Sequence, residues 1–175
     1  MGELSKSLRH RILIWGLLIV VMFLVVGCQG KSNEQIEEFR EITVYFTDDE
    51  ANYLVPEKRK IANDEDMKNL SKNIIEELAK SSDNKLQSTI PSGVKLLSTK
   101  FDDGIITLNF SREIIMNHSG GSSAELLTVY SIVNSLTEIE EIDAVQILVE
   151  GSKLESLKGH CYIFDPLDRD DTLIK

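Results

Sequence analysis

The side chains best suited to chemistry in this 175-residue sequence are few and scattered. Histidine titrates near neutral pH and serves as acid, base or metal ligand. Beyond His10, the chain has His118 in a loop segment and His160 after Gly159. No second histidine or cysteine is spaced to share a metal with His160, which reads as a hydrogen-bonded structural residue near a turn. Asp165, Asp168, Asp170 and Asp171 resemble a Ca²⁺ loop only in charge. They lack the glycine and terminal glutamate of an EF-hand, and Arg169 offsets one charge. Those aspartates and Asp48-Asp49-Glu50 read as solvated acidic stretches. Gly120-Gly121-Ser122-Ser123 opens a helical pattern, where free N–H groups can bind an anion. Glu125, three residues after Ser122, instead completes a capping box, and the acidic chain repels phosphate. Nucleophile-elbow, zinc-protease, phosphate-loop and dinucleotide motifs are absent. Paired carboxylates for glycoside cleavage would meet only in the fold. A sugar cleft favours aromatic platforms, and the one tryptophan, Trp15, lies in an apolar leader. No cofactor or metal is expected.

The two cysteines have separate fates. Lys6, Arg9 and Arg11 precede the apolar run Ile12–Val26, 15 residues long. A basic stub before 7–15 apolar residues is the layout of a secretory signal peptide. A membrane span needs about 20 residues, so a permanent anchor would have to recruit Gly27 and its neighbours. Leu24-Val25-Val26-Gly27-Cys28 resembles a bacterial lipobox. The resemblance implies diacylglyceryl transfer to the Cys28 thiol and cleavage after Gly27. A thiolate is the nucleophile such S-alkylation requires, and two acyl chains hold a protein stably on a membrane. Localisation on the extracytoplasmic face follows. Cys161 is then left as a small buried hydrophobe, with an intermolecular disulfide as the alternative.

Charge divides at the same point. Of the formal net charge of −10, residues 1–27 carry +2 and residues 28–175 carry −12. A body this acidic lacks the basic face nucleic acid demands. Its 148 residues suffice for one domain with a packed core.

The elements that must position these side chains alternate along the chain. A lipid-anchored tether over 28–41 leads to a strand at Ile42–Phe46, and 53–61 gives a short strand that Pro56 confines to an edge. Asn63–Asp66 supplies caps for a helix over about 66–81, whose Met67, Leu70, Ile74, Ile75 and Leu78 recur at helical spacing. After the Ile90–Gly93 turn, strands at 94–101 and 105–110 flank Asp103-Gly104, a strong hairpin signal. A second, more buried helix is expected over 123–138. Ala144–Val149 reads as a central strand and Cys161–Phe164 as an edge strand. The expected fold is α+β, strand–helix–hairpin–helix–strand, with two helices on one face of a small mixed sheet. The domain spans 42–170, with 171–175 as a tail.

Several segments, in order, resemble a GerMN domain, the module of sporulation and germination lipoproteins. They are Ile90–Leu97, Asp103–Ser111, Gly120-Gly121-Ser122 with Glu125, Ile132–Glu138, Val145–Gly151, Gly159-His160, and Pro166 with Arg169. The resemblance implies a non-enzymatic, membrane-anchored envelope protein with a fold like that of ring-building modules, in contact with envelope or sporulation proteins. A single such unit puts ring assembly in doubt. The family supplies no catalytic residues to carry over. Asn109, Gly120, Gly121, Glu125, Asn134, Thr137, Gly159, His160 and Arg169 match its pattern, as structural positions or partner contacts. The alternative is a peptidoglycan-directed enzyme or ligand-binding lipoprotein.

Overall fold

The computed structural model describes residues 39–175 except 81, 83 and 85. The expected leader, Cys28 and the expected tether as far as residue 38 lie outside the described residues.

The first strand, β1 (Phe39–Thr47), pairs antiparallel with β2 (Leu54–Ala62) in unbroken register from Phe39↔Ala62 to Thr47↔Leu54. Ile42, Val44 and Phe46 point into the core at alternate positions. Pro56 is tolerated because this ribbon has only edge strands. Helix α1 (Met67–Leu78) starts where Asp66 accepts a hydrogen bond from the Lys68 N–H at 2.9 Å, and it buries Leu70, Ile74, Ile75 and Leu78. Strands β3 (Leu96–Asp102) and β4 (Ile105–Phe110) form the expected hairpin. Asp103 and Gly104 both hold positive φ, +47° and +74°, as a primed two-residue turn requires. Gly104 has a second constraint: a Cβ there would sit 2.2 Å from Asp143 Oδ2.

After β4 the chain makes one short helix, α2 (Glu113–Met116), then the long α3 (Ser122–Leu136), and returns as β5 (Ala144–Val149) parallel to β4. β6 (Leu167–Asp168) closes the sheet, whose order is β3-β4-β5-β6. Ile106, Leu108, Phe110, Val145 and Ile147 turn one face of it onto a core shared with α1 and α3, including Leu70, Ile74, Ile132, Val133 and Leu136. The fold is α+β, and both main helices pack on that face.

Three details differ from expectation. The first strands form a separate two-stranded ribbon rather than joining the mixed sheet. Cys161–Phe164 is not a strand, although Cys161 and Ile163 are buried while Tyr162 and Phe164 are exposed, as in a strand. A side chain replaces the ladder there: Gln146 Nε2 donates to the Ile163 carbonyl at 3.2 Å. The backbone partner of β5 comes later, at β6. The final residues are also not a free tail. Ile174 bridges to Leu54, and the Lys175 N–H donates to the Leu54 carbonyl at 2.9 Å. No helix among the described residues is long and apolar enough to cross a membrane.

Candidate functional site

Helix α3 is the spine on which the polar candidates are hung. Ten of its 15 residues are buried, because its two sides meet different layers. Val129, Ile132, Val133 and Leu136 enter the main core. Thr128, Ser131 and Ser135 form a hydroxyl row toward β1 and the 86–91 segment: Ser135 Oγ accepts from the Tyr45 N–H at 3.0 Å, and Thr128 Oγ1 donates to the Thr89 carbonyl at 2.9 Å.

At the N-terminal end of α3, Glu125 does not cap the helix. The N-cap is Gly121, without a side-chain bond, and Ser122 is already helical. The Glu125 side chain is fully buried instead. Oε1 accepts from the Leu157 and Lys158 N–H groups, both at 2.9 Å, and Oε2 accepts from the His160 N–H at 3.0 Å. A loop whose N–H groups converge in this way is an anion nest, here filled by the protein's own carboxylate. Burial alone would raise the Glu125 pKa, but the loop N–H groups outweigh it and hold the carboxyl below its ordinary value. The capping-box reading fails because buried loop donors need an acceptor more than a helix end that water can reach.

Gly120, Gly121 and Gly159 have φ of +83°, +92° and +95°, with nothing near the position a Cβ would take. Backbone conformation, not crowding, is what asks for glycine there. His160 contributes its backbone only, and its side chain is exposed, so it is not the hydrogen-bonded structural histidine expected. His118 is the buried histidine. Its Nδ1 accepts from the Gly120 N–H at 2.9 Å, and Nε2 lies 3.1 Å from Thr128 Oγ1. Burial, the largest influence, lowers its pKa. A histidine in a loop gave no periodic signal by which this burial could be foreseen.

At the C-terminal end of α3 lies a second brace. Asn134 mimics a peptide partner for Asp170: Nδ2 donates to its carbonyl at 2.8 Å, and Oδ1 accepts from its N–H at 3.0 Å. Arg169 donates from Nη1 to the Asn134 carbonyl at 2.9 Å, from Nη2 to Tyr45 Oη at 2.8 Å and from Nε to Asp171 at 2.6 Å. Nη2 also lies 2.8 Å from Glu138, and the guanidinium stacks over the Tyr45 ring. Thr137 Oγ1 bonds the Val133 carbonyl at 2.9 Å, and Asn109 accepts from the Gly151 N–H at 2.7 Å. Each pattern-matching side chain except His160 thus has a partner within the domain or serves a turn. They fall into two groups about α3, with Asn109 apart on β4.

A cleft of about 230 Å³ lies beside His118, lined by Thr47, Gln87, Thr89, Pro91, Ala124 and Thr128 among others, and among the described residues no charged side chain lines it. Its buried polar groups are taken: Thr47 Oγ1 donates to the Gln87 carbonyl, Thr89 Oγ1 pairs with Ser131, and both nitrogens of His118 are engaged. Among the described residues, no group of three or more His, Cys, Asp or Glu side chains could hold a metal ion. The acidic cluster near the chain end is spent locally, with Asp165 accepting from Tyr162 Oη, Asp171 from Arg169 and Asp170 from the Thr172 N–H.

The exposed aromatic pair Tyr162 and Phe164, 57% and 42% accessible, lies on the loop that Glu125 holds. Their ring centroids are 6.5 Å apart, and Lys153 Nζ sits 5.3 Å from the Phe164 ring. The sequence pattern places this pair in an edge strand, whereas the structure carries it on an irregular loop.

A family model described as Germane, sporulation and spore germination, matches residues 43–155. A crystal structure of a protein described as a lipoprotein from Clostridium perfringens is similar, with 28% identity, a TM-score of 0.55 and coverage of 80% of this chain and 95% of that one. The tandem GerMN domains of the sporulation protein GerM from Bacillus subtilis match at 24% identity and TM-score 0.62. That match covers 84% of this chain and 51% of the other, so this chain spans about half the tandem structure. The first GerMN domain of the same protein gives 18% identity and TM-score 0.60, over 76% of this chain and 98% of that one. These last two likenesses speak to the fold. No curated protein matches the chain.

Proposed function

The chain belongs to the Germane family of sporulation and spore germination proteins, and from that premise we propose that it is a non-enzymatic, lipid-anchored envelope module that works by contact with other envelope proteins. The observation that carries this reading is the use of the polar side chains. Glu125, Asn134 and Arg169 spend their bonding capacity on braces inside the domain. A catalytic group would be held near an open position where a substrate atom fits. The braced loop instead presents Tyr162 and Phe164 to solvent, and aromatic residues are enriched at protein interfaces. The peptidoglycan-directed alternative gains nothing from the cleft beside His118, whose buried polar groups are already paired.

The membrane half of the proposal rests on the Gly27-Cys28 pattern and on the similarity to a protein described as a lipoprotein. Residues 29–38 between Cys28 and β1 reach at most about 35 Å when extended. The domain would therefore work close to the membrane surface. The test is performed in sporulating cells of the source organism. Cys28→Ala should abolish lipid labelling and leave an unprocessed precursor, while Phe164→Glu should leave labelling intact and lower spore yield or germination. Normal sporulation and germination in both strains would overturn the proposal.

A further inference from the structure

We infer that His118 is a proton-operated latch that joins the start of α3 to the seam between α3, the 86–91 segment and β1. The bonding pattern admits one neutral form of the ring. Nδ1 must be bare, because it accepts from the Gly120 N–H. The Thr128 hydroxyl proton is committed to the Thr89 carbonyl, so Thr128 Oγ1 can only accept from the ring, and Nε2 carries the proton. The row continues from there. Ser131 Oγ donates to the Thr128 carbonyl at 3.0 Å and pairs with Thr89 Oγ1, Ser135 Oγ donates to the Ser131 carbonyl at 2.6 Å, and Ser135 accepts from the Tyr45 N–H. A buried network of this kind is sensitive to the loss of any one member. His118 is its member of the residue type that ordinarily titrates near neutral pH.

A second proton on the imidazole would go to Nδ1, directly opposite the Gly120 N–H. Two donors would then face each other, and one must leave. Gly120 is free to do so: it and Gly121 already occupy left-handed backbone and have no neighbour within 4 Å of a Cβ position. Movement there takes the Gly121 carbonyl from the Glu125 N–H, the first bond of α3. It also opens the cleft between His118, Thr128 and the 86–91 segment. The charged groups that bear on the ring oppose each other. Glu125 of α3 favours the cation, and Lys158 of the braced loop disfavours it. Among the described residues, the cleft side brings no charged side chain. Burial makes the cation the costly form, so the latch stays closed at neutral pH and opens in acid.

The test uses the intact chain in detergent and follows amide hydrogen exchange, corrected for intrinsic rates, between about pH 7.5 and pH 5, a range that brackets the ordinary histidine titration. Peptides covering 117–121 and 86–91 should lose roughly tenfold in protection on acidification while β4 keeps its own, since a tenfold change matches one unit of proton linkage. His118→Gln, which can accept from Gly120 but cannot become cationic, should lack this response, and His160→Ala should retain it. A response that persists in His118→Gln, or equal protection at both pH values in the wild type, would overturn the latch. If His118→Gln does not fold, proton NMR of the wild type decides the matter. His118 titrating without a coincident shift of the Gly120 amide would refute it, and coincident titration would support it.

Discussion

The two ends of α3 do the same mechanical job with opposite chemistry. At the N-terminal end, one fully buried carboxylate gathers the N–H groups of Leu157, Lys158 and His160. At the C-terminal end, a neutral amide and a partly exposed guanidinium gather residues 169–171. Both replace missing secondary structure, since each pins an irregular segment that follows β5. The difference teaches where environment decides the tool. A charge withdrawn from water must be paired or hydrogen-bonded, and three N–H groups of the nest bond Glu125. At the other end a fully buried but neutral Asn134 needs no counter-charge, and the partly exposed, water-tolerant Arg169 shares the work.

The sharpest way to break this comparison is Glu125→Ala. It strands three loop N–H groups, and with bonds to a charged acceptor each worth about 1.5–3 kcal/mol, the loss should be about 3 kcal/mol or more in urea unfolding. Glu125→Gln keeps one carbonyl for Leu157 and Lys158 but cannot accept from His160, so its cost should be about half as large. Acid should reproduce the defect selectively. The folded pKa of Glu125 lies below its ordinary value of 4.5, so its contribution is present above that pH and is lost as pH falls through the lower, folded value. In Glu125→Gln the decline in stability below about pH 4.5 should be shallower than in the wild type.

The C-terminal brace should be weaker and differently sensitive. Asn134→Ala removes both bonds to Asp170 and should cost about 2 kcal/mol, with limited proteolysis showing the segment after Pro166 cut first. Arg169→Met keeps much of the stem packing but loses the ion pair with Glu138. A partly exposed pair is worth about 1 kcal/mol or less, so thermal unfolding in moderate salt should show a small loss that shrinks as salt rises. Burial opposes the Arg169 charge, yet its bonds to Tyr45 and Asp171 prevail and hold its pKa above the ordinary arginine value, so no accessible pH removes this brace through the arginine. If Asn134→Ala costs more than Glu125→Ala, the ranking of buried charge over shared polar contacts is wrong.

How much of this could be read beforehand follows from the range of the signals. β1, the hairpin at Asp103-Gly104, α1 and β5 were legible because periodicity and turn chemistry are local. Helix α3 was legible as an element, and its burial was too. Its braces were not, because Glu125 meets residues 157–160 only after β5 has crossed back to lie beside β4. Ser122 and Glu125 have the right spacing for a capping box, and spacing cannot reveal that a distant loop competes for the carboxylate. The separate ribbon was missed for the same reason, since strand count does not say which strands share a sheet. His118 carries no pattern at all, and its burial is set by Thr128 and Thr89, 10 and 29 residues away in sequence.

Cys161 follows directly on the residues that Glu125 clasps, and its thiol is buried, with desolvation pushing its pKa up to about 11. Such a group is chemically silent in the native state, because the thiolate is the reactive form. Its silence can be timed. An alkylating reagent in excess would modify Cys161 only during the intervals when the loop lifts from α3, so the labelling rate counts openings of that one contact. This thiol thereby gives the domain an internal clock for loop breathing, independent of any signal from global unfolding.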